Sequence, residues 1–259
     1  RLVGSEMCIR DRPMAAHRLQ VGFMRRLFSL ALQVLLLLTL AACISSQPYP
    51  IGVLQPPPEV TPKVRPPKVG QEWVYTVRNV FNQEVVDTVT ERVVAVDKEI
   101  RIERSGVKAG RLPDEIQSPW GFILQDPHWS PPQLFSQAIP LWPEQLAPKW
   151  SGFYRTRYQV PGYPSSTYYW GLNISVVQWE RISVPAGQFL TLKYQNASPY
   201  FESNDLFRIA NYREEDVWFS PEIGRWVIRR GFGRYIIPGV FWGDAYWEDY
   251  LQWELVSWK

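Results

Sequence analysis

Two runs of carboxylates lie in the last quarter of the chain: Glu214-Glu215-Asp216, and Asp244 followed by Glu248-Asp249. The second run sits among Trp242, Tyr246, Trp247 and Tyr250. Paired acids beside aromatic rings are what glycoside hydrolysis needs, one as proton donor and one as base or nucleophile. The same residues also describe a solvated sheet edge or turn, and that is the preferred reading. Other catalytic chemistry has less to build on. His128 is the only histidine beyond His17 and lies in a proline-rich stretch, so a Ser-His-Asp or Cys-His arrangement would rest on it alone. With so few His and Cys a zinc site is disfavoured as well. The chain is read as a non-enzyme, with no catalytic residue, metal or cofactor assigned.

The cysteines, Cys8 and Cys43, lie in the N-terminal segment. Arg25 and Arg26 precede an uncharged, leucine-rich run from Leu27 to Ala42, which ends in small residues. A positive start, an apolar middle and a small-residue cut site make a secretory signal, and the run is too short for a comfortable spanning helix. Leu40-Ala41-Ala42-Cys43 resembles the lipobox of bacterial lipoproteins. The resemblance implies signal cleavage between Ala42 and Cys43, a diacylglyceryl group and palmitate on Cys43, and no enzyme role for that thiol. Each buried CH₂ adds about 0.8 kcal/mol to such an anchor. Ile44 stands where an aspartate would imply inner-membrane retention, so the resemblance implies the periplasmic face of the outer membrane.

Residues 1–12, RLVGSEMCIRDR, resemble translated sequencing-adapter sequence, and residues 1–23 are expected to be a non-native or untranslated extension. Met14 and Met24 both remain as starts, with Met24 favoured because it places the two arginines directly ahead of the apolar run.

The charge balance changes once this segment is removed. Residues 1–42 hold six of the 28 Lys and Arg and two of the 25 Asp and Glu, leaving 22 basic and 23 acidic residues from Cys43 onward. A chain so balanced lacks the cationic surplus that nucleic-acid binding calls for. The folded part also has no thiol for a disulfide, so its core must hold it. All 13 Trp lie beyond Cys43, enough large rings to fill a β core or to line a ligand surface.

Residues 43–69 carry eight prolines and read as a lipidated tether, extended at about 3.1 Å per residue. Residues 70–259 read as one β-rich domain. Trp73, Tyr75 and Val77 alternate with Val74, Thr76 and Arg78, predicting a strand over residues 71–80. Further strands are expected at 85–96 and 99–104, after a turn at Phe81 to Glu84. Residues 105–150 hold eight prolines and are expected to form a long connection packed over the sheet, with room for one short helical turn near Glu144 to Leu146. Strands resume at 152–160, 167–171, 176–184, 189–196, 213–219, 226–230 and 251–258. The predicted fold is mainly β: a single curved antiparallel sheet or half-barrel with little helix.

Three local patterns, Gly70-Gln71-Glu72-Trp73-Val74-Tyr75, Val184-Pro185-Ala186-Gly187-Gln188-Phe189 and Trp218-Phe219-Ser220-Pro221-Glu222-Ile223-Gly224-Arg225, together resemble a group of bacterial envelope proteins of unknown function built on a curved antiparallel sheet. Within them, Pro185 with Gly187 suits a tight hairpin turn, and Pro221 with Gly224 suits another. A looser likeness extends to half-barrel carriers that hold acyl chains in a concave apolar face. Three functional expectations follow. The first is a noncatalytic lipoprotein that binds an apolar ligand or an envelope protein. The second is a carbohydrate or peptidoglycan binder that uses Trp and Tyr as platforms, and the third a carbohydrate-active hydrolase. An enclosed apolar cavity, a row of exposed rings beside polar groups, or two carboxylates facing one cleft would distinguish them.

Overall fold

The computed structural model describes residues 51–239 and 243–259; the signal segment, the lipobox with Cys43, and Trp242 lie outside the described residues. Among the described residues fourteen strands are formed: β1 (Gly52–Gln55), β2 (Glu72–Asn79), β3 (Val85–Val96), β4 (Ile100–Gly106), β5 (Gly110–Gln117), β6 (Phe122–Asp126), β7 (Gln133–Pro140), β8 (Ser151–Val160), β9 (Tyr163–Val184), β10 (Gly187–Ser198), β11 (Ile209–Ser220), β12 (Arg225–Ile237), β13 (Asp244–Trp247) and β14 (Leu251–Trp258). No helix occurs among the described residues, including the stretch Glu144 to Leu146.

The strands pair in the order β9-β10-β11-β12-β14-β2-β3-β4-β5-β6-β7-β8. β8 then returns to β9, from Ser151↔Ser175 to Val160↔Tyr163. The sheet therefore closes into a barrel of twelve antiparallel strands, which corrects the expected open sheet or half-barrel. Closure removes both free edges, which a sheet this large would otherwise expose to pairing with other chains.

The correction lies in residues 105–150, which supply β5, β6 and β7 rather than a loop lying over the sheet. Their prolines sit where a ladder can spare a donor. Pro113 falls where the β4–β5 register shifts between Ile102 and Arg104, and Pro140 ends β7. Pairing is thin on this side. β5 joins β6 through Ile116↔Gln125 and Gln117↔Ile123, and β7 joins β8 through Leu134↔Gln159 and Phe135↔Tyr158.

Elsewhere the alternation in sequence is the alternation in space. On β2, Trp73, Tyr75 and Val77 are buried between half-buried neighbours. The two strands expected at 167–171 and 176–184 are one, β9. Both motif turns are hairpins: Pro185-Ala186 joins β9 to β10, and Pro221 to Gly224 joins β11 to β12. Gly224 has φ of 67°, and a Cβ there would lie 2.6 Å from the Arg65 carbonyl oxygen. No larger residue fits that turn without moving the chain that crosses it.

That crossing chain belongs to the proline-rich segment. β1 pairs with β9 from Gly52↔Ile182 to Gln55↔Trp179, and the Arg65 amide donates to the Pro221 carbonyl at 2.9 Å. Part of the expected tether is therefore bound along the barrel, which shortens the length free to act as a spacer.

Candidate functional site

Several inward positions that would ordinarily carry aliphatic side chains carry charges instead. β3 buries Glu91 between Val89 and Val93, β4 buries Arg104 beyond Ile102, and β5 buries Glu115 and Gln117. Arg225, at the start of β12, reaches the two acids together. It donates from Nε and Nη2 to Glu91 at 3.1 and 2.6 Å, and from Nη1 and Nη2 to Glu115, both at 2.7 Å. Arg104 donates to Glu91 at 3.0 Å and to the Pro127 carbonyl at 3.2 Å. Burial alone would raise the Glu91 carboxyl, but Arg225, His128 and Arg104 hold it well below the usual carboxylate range. The Arg225 guanidinium lies 3.7 Å from the centre of the Trp226 ring, which covers the cluster.

His128 completes this cluster. Asp126, at the end of β6, accepts from the His128 backbone amide and lies 2.9 Å from its Nδ1, while Nε2 lies 3.0 Å from Glu91. Both ring nitrogens thus face carboxylate oxygens, and the ring edges onto Trp226 and Trp253 at 5.1 and 5.4 Å. Burial would raise the Asp126 carboxyl, but His128 and Arg229 lower it strongly. The Asp126-Pro127-His128 triplet carried a local signal, an Asp bonding the backbone two residues on. Its partner Glu91 is too distant in sequence for any local pattern to show.

The barrel opens on one side of this cluster into a cleft of about 400 Å³. Trp129, Tyr235, Trp247 and Trp253 supply rings to its wall. Trp247 is 60% exposed and packs on Phe232 at 5.6 Å. Arg208, Arg229, Glu215, Glu248 and Asp249 supply charge beside those rings. Glu248, in the turn between β13 and β14, accepts from Arg213 Nε and Nη2 at 2.8 and 3.1 Å and from Arg208 at 3.3 Å. It reaches them across Gly233, where a Cβ would meet the Glu248 carboxylate at 2.1 Å. Arg208 lies 4.0 Å over the Tyr235 ring. Glu215, on β11, accepts from Arg229 Nε and Nη2 at 2.9 and 2.5 Å.

A second chamber, of about 40 Å³, shares Trp129, Glu215 and Arg229 with the cleft as a common wall. At about 10–15 Å³ per water it has room for about three waters, far short of an acyl chain.

Of the sequence candidates, Glu215, Glu248, Asp249 and Trp247 line the cleft together with His128. Glu214 and Asp216 do not. Glu214 accepts from the Tyr212 hydroxyl, and Asp216 from Gln195 at 2.9 Å. Asp244 is exposed on β13, Tyr246 stacks on Tyr235 at 5.6 Å, and Tyr250 packs on Phe81 and Phe232. Glu215 and Glu248 each accept paired bonds from a guanidinium, the geometry of an ion pair rather than of a proton donor. Sequence reasoning missed Arg208, Arg213, Arg225 and Arg229. Among the described residues, no group of three or more His, Cys, Asp or Glu is placed to hold a metal.

No family model matches the chain, and no curated protein is detectably similar to it. Among solved structures, a lipoprotein candidate from Parabacteroides distasonis aligns over 78% of this chain and 100% of its own, with TM-score 0.50 and 13% identity. A candidate exported protein from Bacteroides fragilis, with a YmcC-like fold, aligns over 77% and 100%, with TM-score 0.46 and 12% identity. At such identity the first likeness is one of fold.

Proposed function

We propose that the protein is a noncatalytic lipoprotein of the bacterial envelope, held by lipid on Cys43 at the periplasmic face of the outer membrane, and that its barrel mouth binds a glycan. Peptidoglycan is the polymer such an anchor places within reach. The lipobox-like Leu40-Ala41-Ala42-Cys43 supports the anchor, and so does a fold in common with a lipoprotein candidate.

The observation that carries the glycan reading is the cleft itself, where Trp129, Tyr235 and Trp247 stand beside Arg208, Glu248 and Asp249. A sugar has an apolar C–H face that packs on an aromatic ring and a rim of hydroxyls that pair with planar charged groups. This reading displaces the apolar-ligand one. An acyl carrier needs an enclosed apolar cavity, whereas this barrel is crossed by buried ion pairs and has a chamber of about 40 Å³.

Cosedimentation with peptidoglycan sacculi tests the binding site. The wild-type chain should pellet with sacculi, and Trp247→Ala should pellet less at unchanged thermal stability. Equal pelleting of the two would remove the cleft from the account. For the anchor, a palmitate analogue should label the wild type in cells and leave Cys43→Ala unlabelled; label on both would contradict the lipid site.

A further inference from the structure

We propose that the end of the barrel opposite the mouth docks on an anionic phospholipid surface through the proline-rich strap of residues 56–70, so that the cleft points away from the membrane; this rests on the Cys43 anchor proposed above. Strand directions distinguish the two ends. The turns at Pro185-Ala186 and Pro221 to Gly224, which join β9 to β10 and β11 to β12, lie at one end. The link from β10 to β11, which carries Arg208, lies at the other, as does the last part of β12 with Tyr235. Arg208, Tyr235 and Trp247 line the cleft, so the mouth belongs to the second end.

The chain enters the barrel at the first end. Gly52 pairs with Ile182, two residues before β9 finishes at Val184. Gly52 is nine positions after Cys43, and nine residues span at most about 32 Å. A lipid on Cys43 therefore keeps this end near the bilayer whatever path those residues take. The strap then crosses the same end. The Arg65 amide donates to the Pro221 carbonyl at 2.9 Å, the Arg65 carbonyl accepts from Trp120 Nε1 at 3.1 Å, and the Gly70 amide donates to the Val93 carbonyl at 2.8 Å. From Ser220 at this end, β11 runs back to Ile209 beside the mouth. At about 3.3 Å per residue and a tilt of about 40°, that places the mouth about 28 Å farther out.

The strap has the composition of a surface that meets charged lipid. Lys63, Arg65 and Lys68 are exposed along it, against one acid, Glu59. Among the described residues none of the three cations forms an ion pair, and Arg65 lies 5.0 Å over the Trp258 ring. Val60 and Val69 stand exposed in the same segment, as do Val53 and Leu54 on β1. Exposed apolar groups among cations suit a lipid headgroup region, where the first enter the interface and the second meet phosphate. Each Lys or Arg close to an anionic leaflet multiplies the docked-to-free ratio by about five. Glu222, exposed in the turn beneath the strap, offsets part of this charge.

Both cysteines precede Gly52, so one introduced thiol can report position in the folded part. The full lipidated chain would carry a fluorophore at Val60→Cys on the strap or at Leu206→Cys in the β10–β11 link, both exposed sites. It is reconstituted into phosphatidylcholine vesicles with or without phosphatidylglycerol, with a quencher on some of the headgroups. With phosphatidylglycerol the Val60 label should be quenched and the Leu206 label should stay bright. Lys63→Gln with Lys68→Gln should lower the docked-to-free ratio about 25-fold at unchanged melting temperature, while the lipid still carries the protein with the vesicles. Equal quenching at the two positions, or quenching at Val60 indifferent to phosphatidylglycerol, would overturn the docked end and leave the anchor standing. A chain that floats with neither vesicle would overturn the anchor and this inference together. Should the double variant fail to fold, the comparison of the two vesicle compositions on the wild-type strap still decides the matter.

Discussion

Two arginine-centred clusters share the barrel, and they differ in how completely their hydrogen bonds are used. In the inner one, Arg225 directs Nε, Nη1 and Nη2 at Glu91 and Glu115, and Gln117 adds a bond to Glu115 at 2.6 Å. In the outer one, Arg213 and Arg229 each hold one carboxylate and keep one nitrogen unpartnered. Trp226 caps the first with its face, whereas the second opens to a cleft beside an exposed Trp247. The same residue types thus serve two ends. A closed ion cluster fixes which strands face each other, and one that lies beside an open cleft can engage a ligand.

Breaking the inner cluster should have the largest effect. Arg225→Met strands two buried carboxylates, and the loss should be about 3–5 kcal/mol in urea unfolding. A loss under about 1 kcal/mol would mean that Arg104 and His128 suffice.

Acid should act on the same cluster next. The Glu91 and Asp126 carboxyls, ordinarily near 4.5 and 3.8, would be raised by burial but are depressed in the fold by Arg225, Arg104 and His128 around Glu91 and by His128 and Arg229 around Asp126. A depressed carboxyl contributes stability above its unfolded pKa, and that stability is lost as pH falls through the folded value. The melting temperature should therefore hold near neutrality and drop once pH falls below about 4.5, more steeply than in Glu91→Gln. A profile identical in the two proteins would contradict the assignment.

The outer cluster predicts a different pattern. Trp247→Ala should weaken glycan binding by about 1 kcal/mol, the worth of one ring platform, and shift unfolding by less than about 0.5 kcal/mol. The smallest effect belongs to the barrel surface. Arg92 bonds Glu72 at 2.8 Å but is 56% exposed, so Arg92→Ala should cost about 0–1 kcal/mol and leave binding unchanged.

How much of this could be read beforehand follows from the same contrast. Strands with clean alternation, such as β2 and β14, were legible, as were the turns at Pro185-Ala186 and Pro221 to Gly224. Barrel closure was not, because it depends on β5, β6 and β7, whose prolines sit at bulges and ends and imitate a loop. At the site, the grouping of Glu248, Asp249 and Trp247 was visible as acids among aromatics. Glu91 was hidden in a β-branched stretch, and Arg225 and Arg229 lie at or beside an expected strand, where charge reads as outward-facing. A single sequence assigns inward positions by apolarity, so charges that face inward because they are paired across the barrel escape it.

The most direct test of the account is a titration of the isotope-labelled chain with solubilised peptidoglycan glycan strands, followed through its indole N–H resonances by NMR. Trp129 and Trp247, identified by Trp→Phe variants, should move on binding, while Trp73 and Trp179, buried away from the mouth, should stay in place. Shifts confined to other indoles, or no shift at saturating glycan, would contradict a glycan site at the barrel mouth.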